Sequence, residues 1–376
     1  MPDANEKKNR NRLNLQLVKI FPMPKMYSRR YGDFTANIHG SLSKIARQVK
    51  YRLNDGPGLD IGKGGPRAPA PFFVIELNAH ELCPGTNTLT IHAVAYGGRQ
   101  ETTSMQFDYD PQAPILPRIV DWSQADPESI DGEWETFLSE NGWRVRPKFG
   151  REGYDRIVLV AGAFAAGRRI ETEVIFRHKT VEHSEYGFGV IPLWGGHPDN
   201  GNFRPRRGWR FSIIWYFNRY KGVGNEFSYK IGNALPTFVT SYRSLHIEAG
   251  IPYCIIVECW PEIDVSGRHI RFKQRMKWWP QGTPEPDNWL ELVDAPDAPL
   301  PAIEYGAALI AYNCQVDFGP VAINPLQARI FSAPDKTDTA WRTEVIPPPA
   351  KSASGGSTNP TTISTRLTHH GDDRFL

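Results

Sequence analysis

The 376-residue sequence contains no long apolar run, and it lacks the common nucleotide-binding and hydrolase motifs. No stretch of about 18 consecutive apolar residues occurs, which excludes a membrane-spanning helix. A Walker loop, a G-x-G-x-x-G after a strand, a G-x-S-x-G elbow and an H-E-x-x-H are all missing, and we predict no cofactor. No uninterrupted apolar segment follows the basic N-terminus, so the sequence predicts no export signal.

Cysteine is scarce, with Cys83, Cys254, Cys259 and Cys314 as its only positions. Cys254 and Cys259 lie five residues apart in one predicted strand, so their side chains point to opposite faces and cannot pair with each other. No C-x-x-C spacing indicates zinc. We therefore predict free thiols and a cytoplasmic location, with secretion by an unconventional route as the alternative.

The net charge is only +3, and the sequence does not indicate a nucleic-acid partner. Hydrophobic residues make up 40% of the chain, with 33 glycines and 32 prolines. This composition is typical of many short strands joined by turns. The sequence predicts an all-β protein with extended tails at both ends, an N-terminal arm over 1–12 and a Pro/Ser/Gly-rich tail over 331–376.

Residues 13–110 show alternating or apolar strand segments at the spacing of a small β-sandwich. The stretch ELCPGTNTLTIHAVAYGG, with Pro84 and Gly85 at a turn, resembles the final hairpin of bacterial immunoglobulin-like domains. That resemblance implies a spacing, docking or binding module. Residues 111–118 read as a proline-rich linker.

Residues 119–330 form a second, denser series of predicted strands, which indicates a larger antiparallel sandwich. One loop after the strand HIRFKQRMKW carries the pattern Trp279-Pro280-x-Gly282-x-x-Glu285-Pro286-x-x-Trp289. Together with the closing strand ALIAYNCQVDFGPVAIN, it resembles concanavalin A-like domains of the LamG-type jelly roll. The resemblance implies a fold shared by lectins, glycosidases, lyases and adhesion modules.

The candidate catalytic pair is Glu171 and Glu173. Strand alternation places both on one face, about 7 Å apart, within the range used in glycoside hydrolysis. The longer Glu-x-Asp-x-x-Glu pattern of retaining hydrolases breaks at Ile175 and Phe176. A solvated strand face is therefore the favoured interpretation.

The loop WGGHPDN is a candidate for sugar recognition, with Trp194 stacking, His197 alongside and Asp199 accepting hydroxyl protons. His178, His183 and His197 could gather near it, but no tight histidine spacing predicts zinc. No metal is predicted overall. Asp317 is a weak calcium candidate, since relatives often carry a calcium ligand there and one aspartate specifies little.

A neighbouring loop interleaves arginines with aromatics and is the first candidate for docking on a protein partner. Its residues are Phe203, Arg204, Arg206, Arg207, Trp209 and Arg210. The C-terminal pair Phe375 and Leu376 is a second anchor, and the basic N-terminal arm could approach an anionic membrane surface.

These observations favour a non-catalytic accessory subunit that docks on other protein subunits of a larger assembly. A membrane complex of the photosynthetic or respiratory type, contacted on its cytoplasmic side, is an example of such an assembly. The alternative is a carbohydrate-binding, lectin-like protein that takes a glycan. A glycan-active hydrolase or lyase ranks last.

Overall fold

The computed structural model describes residues 16–330, apart from a set of short internal segments. Those segments are 65–66, 152, 166, 181–184, 198–204, 207–210, 219–224, 232–236, 244–246, 268 and 293–303. The described residues form 25 strands and a single three-residue 3-10 helix, Ala79–Glu81. The predicted all-β fold is confirmed. The described part of the chain contains no helix that is long and apolar enough to cross a membrane.

The smaller sandwich is built from the first nine strands. They are β1 (Val18–Ile20), β2 (Met26–Tyr27), β3 (Ala36–Leu42), β4 (Ala46–Leu53), β5 (Leu59–Asp60), β6 (Gly62–Gly64), β7 (Ala68–Leu77), β8 (Gly85–Ala95) and β9 (Gln100–Tyr109). One sheet has the order β1-β3-β7-β6 and the other β2-β9-β8-β4-β5. Apart from the parallel pair β2 and β9, these neighbours are antiparallel.

The larger sandwich contains the remaining strands. Its first half comprises β10 (Arg118–Val120), β11 (Glu128–Asp131), β12 (Trp134–Ser139), β13 (Gly142–Pro147), β14 (Arg156–Phe164), β15 (Gly167–Lys179), β16 (Tyr186–Trp194) and β17 (Phe211–Asn218). Its second half comprises β18 (Asn225–Ile231), β19 (Thr237–Arg243), β20 (Pro252–Ile263), β21 (His269–Pro280), β22 (Leu290–Leu292), β23 (Tyr305–Tyr312), β24 (Cys314–Leu326) and β25 (Arg329–Ile330).

Two sheets make up this larger sandwich. The nine-stranded sheet runs β12-β13-β24-β15-β20-β21-β22, with β10 pairing to β24 and β25 to β20. The seven-stranded sheet runs β11-β14-β23-β16-β17-β18-β19. Their inner faces enclose a core that includes Val174, Phe188, Val257 and Phe318. Burial of this apolar surface is the main force that holds the two sheets together.

Alternation along the strands decides which side chains enter each core. In β20, Tyr253, Ile255 and Val257 lie in the core, whereas Cys254 and Glu258 face the other way. A period of two residues is what a pleated strand requires. It also separates the two neighbouring thiols, because Cys259 is buried and Cys254 is half-exposed.

Candidate functional site

Trp194 and His197, from the loop predicted to read a sugar, are buried between the two sandwiches. Trp194 ends β16, and its side chain and that of His197 are each 1% exposed. The Trp194 ring meets the Phe34 ring of the smaller sandwich edge-on at 6.1 Å, and the His197 ring at 5.0 Å. The indole of Trp194 is thus covered by other side chains of the chain and presents no open face for the predicted stacking of a sugar. Asp199 lies outside the described residues.

The arginine-rich docking loop is described at Arg206 and at the preceding proline. Phe203, Arg204, Arg207, Trp209 and Arg210 lie outside the described residues, as do the tail residues Phe375 and Leu376. Arg206 is 7% exposed. Its backbone N–H donates to both carboxylate oxygens of Glu76 at 3.0 and 2.9 Å, and its Nη2 donates to Asn78 Oδ1 at 3.0 Å. The partner on which Arg206 docks is thus the smaller sandwich of the same chain.

We call this contact the sandwich junction. On the smaller sandwich it comprises residues 28–39, Arg67 and Glu76, and on the larger one residues 128–133, 194–197 and Arg206. Its centre is Arg67, whose side chain is 1% exposed. Arg67 pairs with Asp131 across the junction and with Glu76 at 2.6 Å, and it also donates to the backbone carbonyl of Arg206. A guanidinium with five donors suits such a crowded set of acceptors.

A second buried ion pair lies beside the first. Arg30 pairs with Glu128 of β11, and its guanidinium carbon lies 4.3 Å from the centroid of the Phe34 ring. Ser28 donates its hydroxyl to the same carboxylate at 2.7 Å. The contacts of Arg30 and Ser28 with Glu128 cross from the smaller to the larger sandwich, as does the Phe34–Trp194 ring contact, so the junction combines an aromatic contact with buried charge pairs. Removal of one partner would leave a buried charge uncompensated.

The third element of the junction is His39 of β3. Its Nε2 lies 3.2 Å from the carbonyl oxygen of Ile130, which fits a tautomer that donates from Nε2. Burial lowers the pKa of His39 to about 4, against the attraction of Asp131. Asp131 is also buried, which alone would raise its pKa, but Arg67 and then His197 hold that pKa at about 2. The junction therefore contains a neutral imidazole beside an ionised carboxylate near neutral pH.

Apart from Trp194, His197 and Arg206, the junction residues named above were not identified from the sequence. Their signal is a charged or ionisable residue in a short strand, as with His39 in ANIHGSL and with Glu128 and Asp131 at the two ends of ESID. Such residues are rarely fully buried unless they are paired. Which partner each one takes depends on residues distant in the sequence, as with Arg30 and Glu128, which are 98 residues apart.

Glu171 and Glu173 share the outer face of the nine-stranded sheet. Arg169 Nε donates to Glu171 at 2.6 Å, and Arg144 Nη2 donates to Glu173 at 2.7 Å. Gln281 also donates to Glu173. Both carboxylates thus accept hydrogen bonds from side chains on the same face of the sheet. This arrangement is typical of a charged, solvent-facing strand surface.

Asp317 does not present a calcium site. Its side chain is 1% exposed, and Arg177 Nε donates to its Oδ2 at 2.5 Å, which places a cation beside the carboxylate. His178 is exposed on β15, and His183 lies outside the described residues. Within the described ranges, no three His, Cys, Asp or Glu side chains are grouped so that they could hold a metal ion.

The outer face of the nine-stranded sheet carries a partly exposed tryptophan whose ring lies on two basic side chains. Trp289 lies over β21, with the Arg275 guanidinium carbon 4.1 Å and Lys277 Nζ 4.8 Å from its ring centroid. Arg275 is held by Glu258 at 2.6 Å, and Lys277 by Glu285 at 2.7 Å. We call these five residues the Trp289 platform.

The loop after β21 explains how Trp289 reaches this position. Gln281 donates its backbone N–H to Pro252 at 2.9 Å, and Gly282 adopts a φ of +86°, which turns the chain back over the sheet. A left-handed conformation is one that glycine adopts without steric cost. The prolines at 284 and 286 restrict the returning segment. Trp289 of this loop thus packs on the outer face of the sandwich.

Comparison with known proteins gives fold-level similarities alone. No protein-family profile and no curated protein matches this sequence. Among solved structures, the carbohydrate binding module CBM66 from Bacillus subtilis is 13% identical, with a TM-score of 0.30 over 53% of this chain and 94% of that chain. The exoplasmic/lumenal domain of VIP36 in its Ca²⁺/Man-bound form is 10% identical, with a TM-score of 0.36 over 52% and 84%. The carbohydrate recognition domain of Emp47p is 8% identical, with a TM-score of 0.31 over 51% and 88%. Similarities at this level assign neither a family nor a ligand to this chain.

Proposed function

We propose that this chain is a non-catalytic carbohydrate-binding protein and that the Trp289 platform is its glycan site. The larger sandwich would then be of the concanavalin A-like type that its sequence resembles, with the ligand on the outer face of one sheet. The immunoglobulin-like character of the smaller sandwich stays a prediction. So do a cytoplasmic location and contact with a membrane surface.

The observation that carries the proposal is the half-exposed Trp289 ring among ionised side chains. A pyranose ring has a face of C–H groups that packs against an aromatic ring, and hydroxyls that exchange hydrogen bonds with charged groups at its edge. Arg275 offers donors here, and Glu285, whose side chain is 45% exposed, offers acceptors. Glu258 and Lys277 are nearly buried and hold these two side chains in place. Ion pairs already orient these side chains, so less conformational entropy is lost on binding.

The proposal that this protein is non-catalytic rests on the surroundings of Glu171 and Glu173. Glycoside hydrolysis needs one carboxyl group as a proton donor and another as nucleophile or base at the scissile bond. The engagement of both carboxylates by Arg169, Arg144 and Gln281 supports a role for them in shaping the surface.

The test is a glycan array on the full chain, followed by calorimetric titration of the strongest glycan. Trp289→Ala should weaken binding by up to about tenfold, since stacked aromatic contacts contribute on the order of 0.5–1.5 kcal/mol. Trp143→Ala is the matched control, because Trp143 is 39% exposed and lies on another strand of the same sheet. No array signal, or equal affinity for Trp289→Ala and wild type, would contradict the proposal.

One structural observation supports the alternative hypothesis that the protein is an accessory subunit of a larger assembly. Leu138 and Trp143 are cross-strand partners near the tip of the β12–β13 hairpin, and they are 67% and 39% exposed. Apolar residues placed side by side in solvent favour contact with another protein. Gentle affinity purification from native cells tests this candidate. Stoichiometric recovery of the same subunits with wild type, lost with Trp143→Ala, would move it ahead of glycan binding.

A further inference from the structure

The smaller sandwich carries a groove that is separate from the Trp289 platform. Its volume is about 420 Å³, and apolar side chains line most of it, among them Leu42, Ala68, Pro71 and Phe72. That volume lies in the range of roughly 300–1,000 Å³ that is usual for small-molecule sites. The groove is therefore large enough for a ligand and not only for solvent.

The sequence of β7 accounts for the groove. The strand begins APAP, and its pairing with β3 reaches only to Phe72, opposite Ser41. The prolines at 69 and 71 lack the backbone N–H that a further ladder bond would need. The first residues of β7 thus continue beyond β3, and the space between them and the β3–β4 turn stays open.

Two lysines give the groove its charge. Lys44 in the β3–β4 turn and Lys63 in β6 line it, and both are exposed. Neither lysine takes part in an ion pair within the described part of the chain. The groove lining contains no acidic residue. An apolar surface with two uncompensated cations is complementary to a molecule with an apolar body and a negative headgroup.

We propose that this groove binds a single-chain carboxylate amphiphile of the fatty-acid type. The acyl chain packs against Leu42, Ala68, Pro71 and Phe72, and the carboxylate lies between the ammonium groups of Lys44 and Lys63. The apolar contact supplies most of the affinity, and the two lysines select the acid over the neutral alcohol.

The test is calorimetric titration of the full chain with decanoate, kept below the concentration at which it forms micelles. Decanol is the neutral probe of equal length. We expect decanoate to bind about tenfold more tightly than decanol, and Lys44→Glu with Lys63→Glu to remove that difference. Lys50→Glu makes the same charge change on an exposed position of the other sheet and should leave the affinity unchanged.

A second variant tests the position of the acyl chain. Ala70 lines the groove and is exposed, so Ala70→Trp fills the space and should abolish binding of both probes while thermal stability is retained. Equal affinity for decanol and decanoate, or decanoate binding that survives Ala70→Trp, would overturn the proposal. Binding to phosphatidylglycerol vesicles without uptake of free decanoate would overturn it as well. None of these outcomes depends on glycan binding at Trp289.

Discussion

The rings of Phe34 and Trp194 meet edge-to-face across the sandwich junction, with centroids 6.1 Å apart and planes at 87°. Phe34 belongs to the segment between β2 and β3, yet it is part of an apolar cluster with Ile157, Ile191 and Ile310 of the seven-stranded sheet. The smaller sandwich therefore supplies a core residue to the larger one. A junction of this kind couples the stabilities of the two sandwiches.

Trp194→Ala should lower the free energy of unfolding by about 3–5 kcal/mol, because it leaves a cavity beside Phe34. Chemical denaturation of the full chain measures this loss. Phe34→Ala should cost a similar amount, and the double variant less than the sum, since the two rings share one contact. Trp143→Ala is the control at an exposed tryptophan. A Trp194→Ala cost no larger than that of the control would contradict the assigned packing.

Arg67→Met should destabilise the protein by about 3–5 kcal/mol, because Asp131 and Glu76 then remain buried without their cation. Denaturation at neutral pH measures the effect. Arg146→Met is the matched control, since Arg146 pairs with Glu135 at 2.9 Å with both side chains about a third exposed. That pair should contribute less than about 1 kcal/mol. Equal costs for the two variants would refute a central role for Arg67.

Gly196→Ala should disrupt the junction, because an added Cβ would lie 2.4 Å from the carbonyl oxygen of Asp33. The φ of Gly196 is +92°, so strain of about 1–2 kcal/mol adds to the clash. Gly97→Ala is the control that has the backbone strain without the clash, since the φ of Gly97 is +102° and nothing lies within 4 Å of the new Cβ. We expect the Gly196 variant to melt well below the Gly97 variant in a thermal scan. Similar melting temperatures would falsify the close approach of these two loops.

Acid should weaken the protein through His39, whose pKa is about 4 when folded and 6.5 when exposed. Between these values the unfolded chain binds the proton more readily, so stability is complete above pH 6.5 and falls as the pH drops toward 4. The full loss is on the order of 3 kcal/mol. The groups that set this pKa besides burial are Asp131, Arg67, Arg156 and the Ile130 carbonyl.

Denaturation midpoints at a series of pH values measure this dependence. His39→Gln keeps a donor for the Ile130 carbonyl and removes the titrating group, so its stability should change less over pH 6.5–4. His92→Gln is the control on an exposed histidine, which contacts Thr102 at 2.9 Å. A wild-type slope in His39→Gln would assign the acid sensitivity to other groups.

The strands could be predicted from the sequence because their signals are local. The alternation in RRIETEVIFRHK appears as β15, and it places Glu171 and Glu173 on one face as expected. Strand β7 ends at Leu77, because Asn78 and Glu81 form a capping box around the short 3-10 helix that follows. Side-chain hydrogen bonds to the backbone compete with strand pairing at such positions.

The role of the loop after β16 could not be predicted, because its burial depends on distant residues. Trp194 and His197 have the composition of a ligand-reading loop, but Phe34 packs on the Trp194 ring, and the backbone of Asp33 and Phe34 lies against Gly196. Trp289 shows the opposite case. Its position over β21 follows from Gly282 and two nearby prolines, which are local features of the sequence.

The linker at 111–118 divides the two sandwiches in the sequence, but the side-chain contacts of the sandwich junction hold them together in space. The linker at 111–118 contains exposed positions at 112, 113, 115 and 117, which a protease could reach. A cut there would break one covalent connection and leave the Arg67, Arg30 and Phe34 contacts intact. The two fragments should therefore remain associated and elute together from a sizing column, and only a denaturant would separate them.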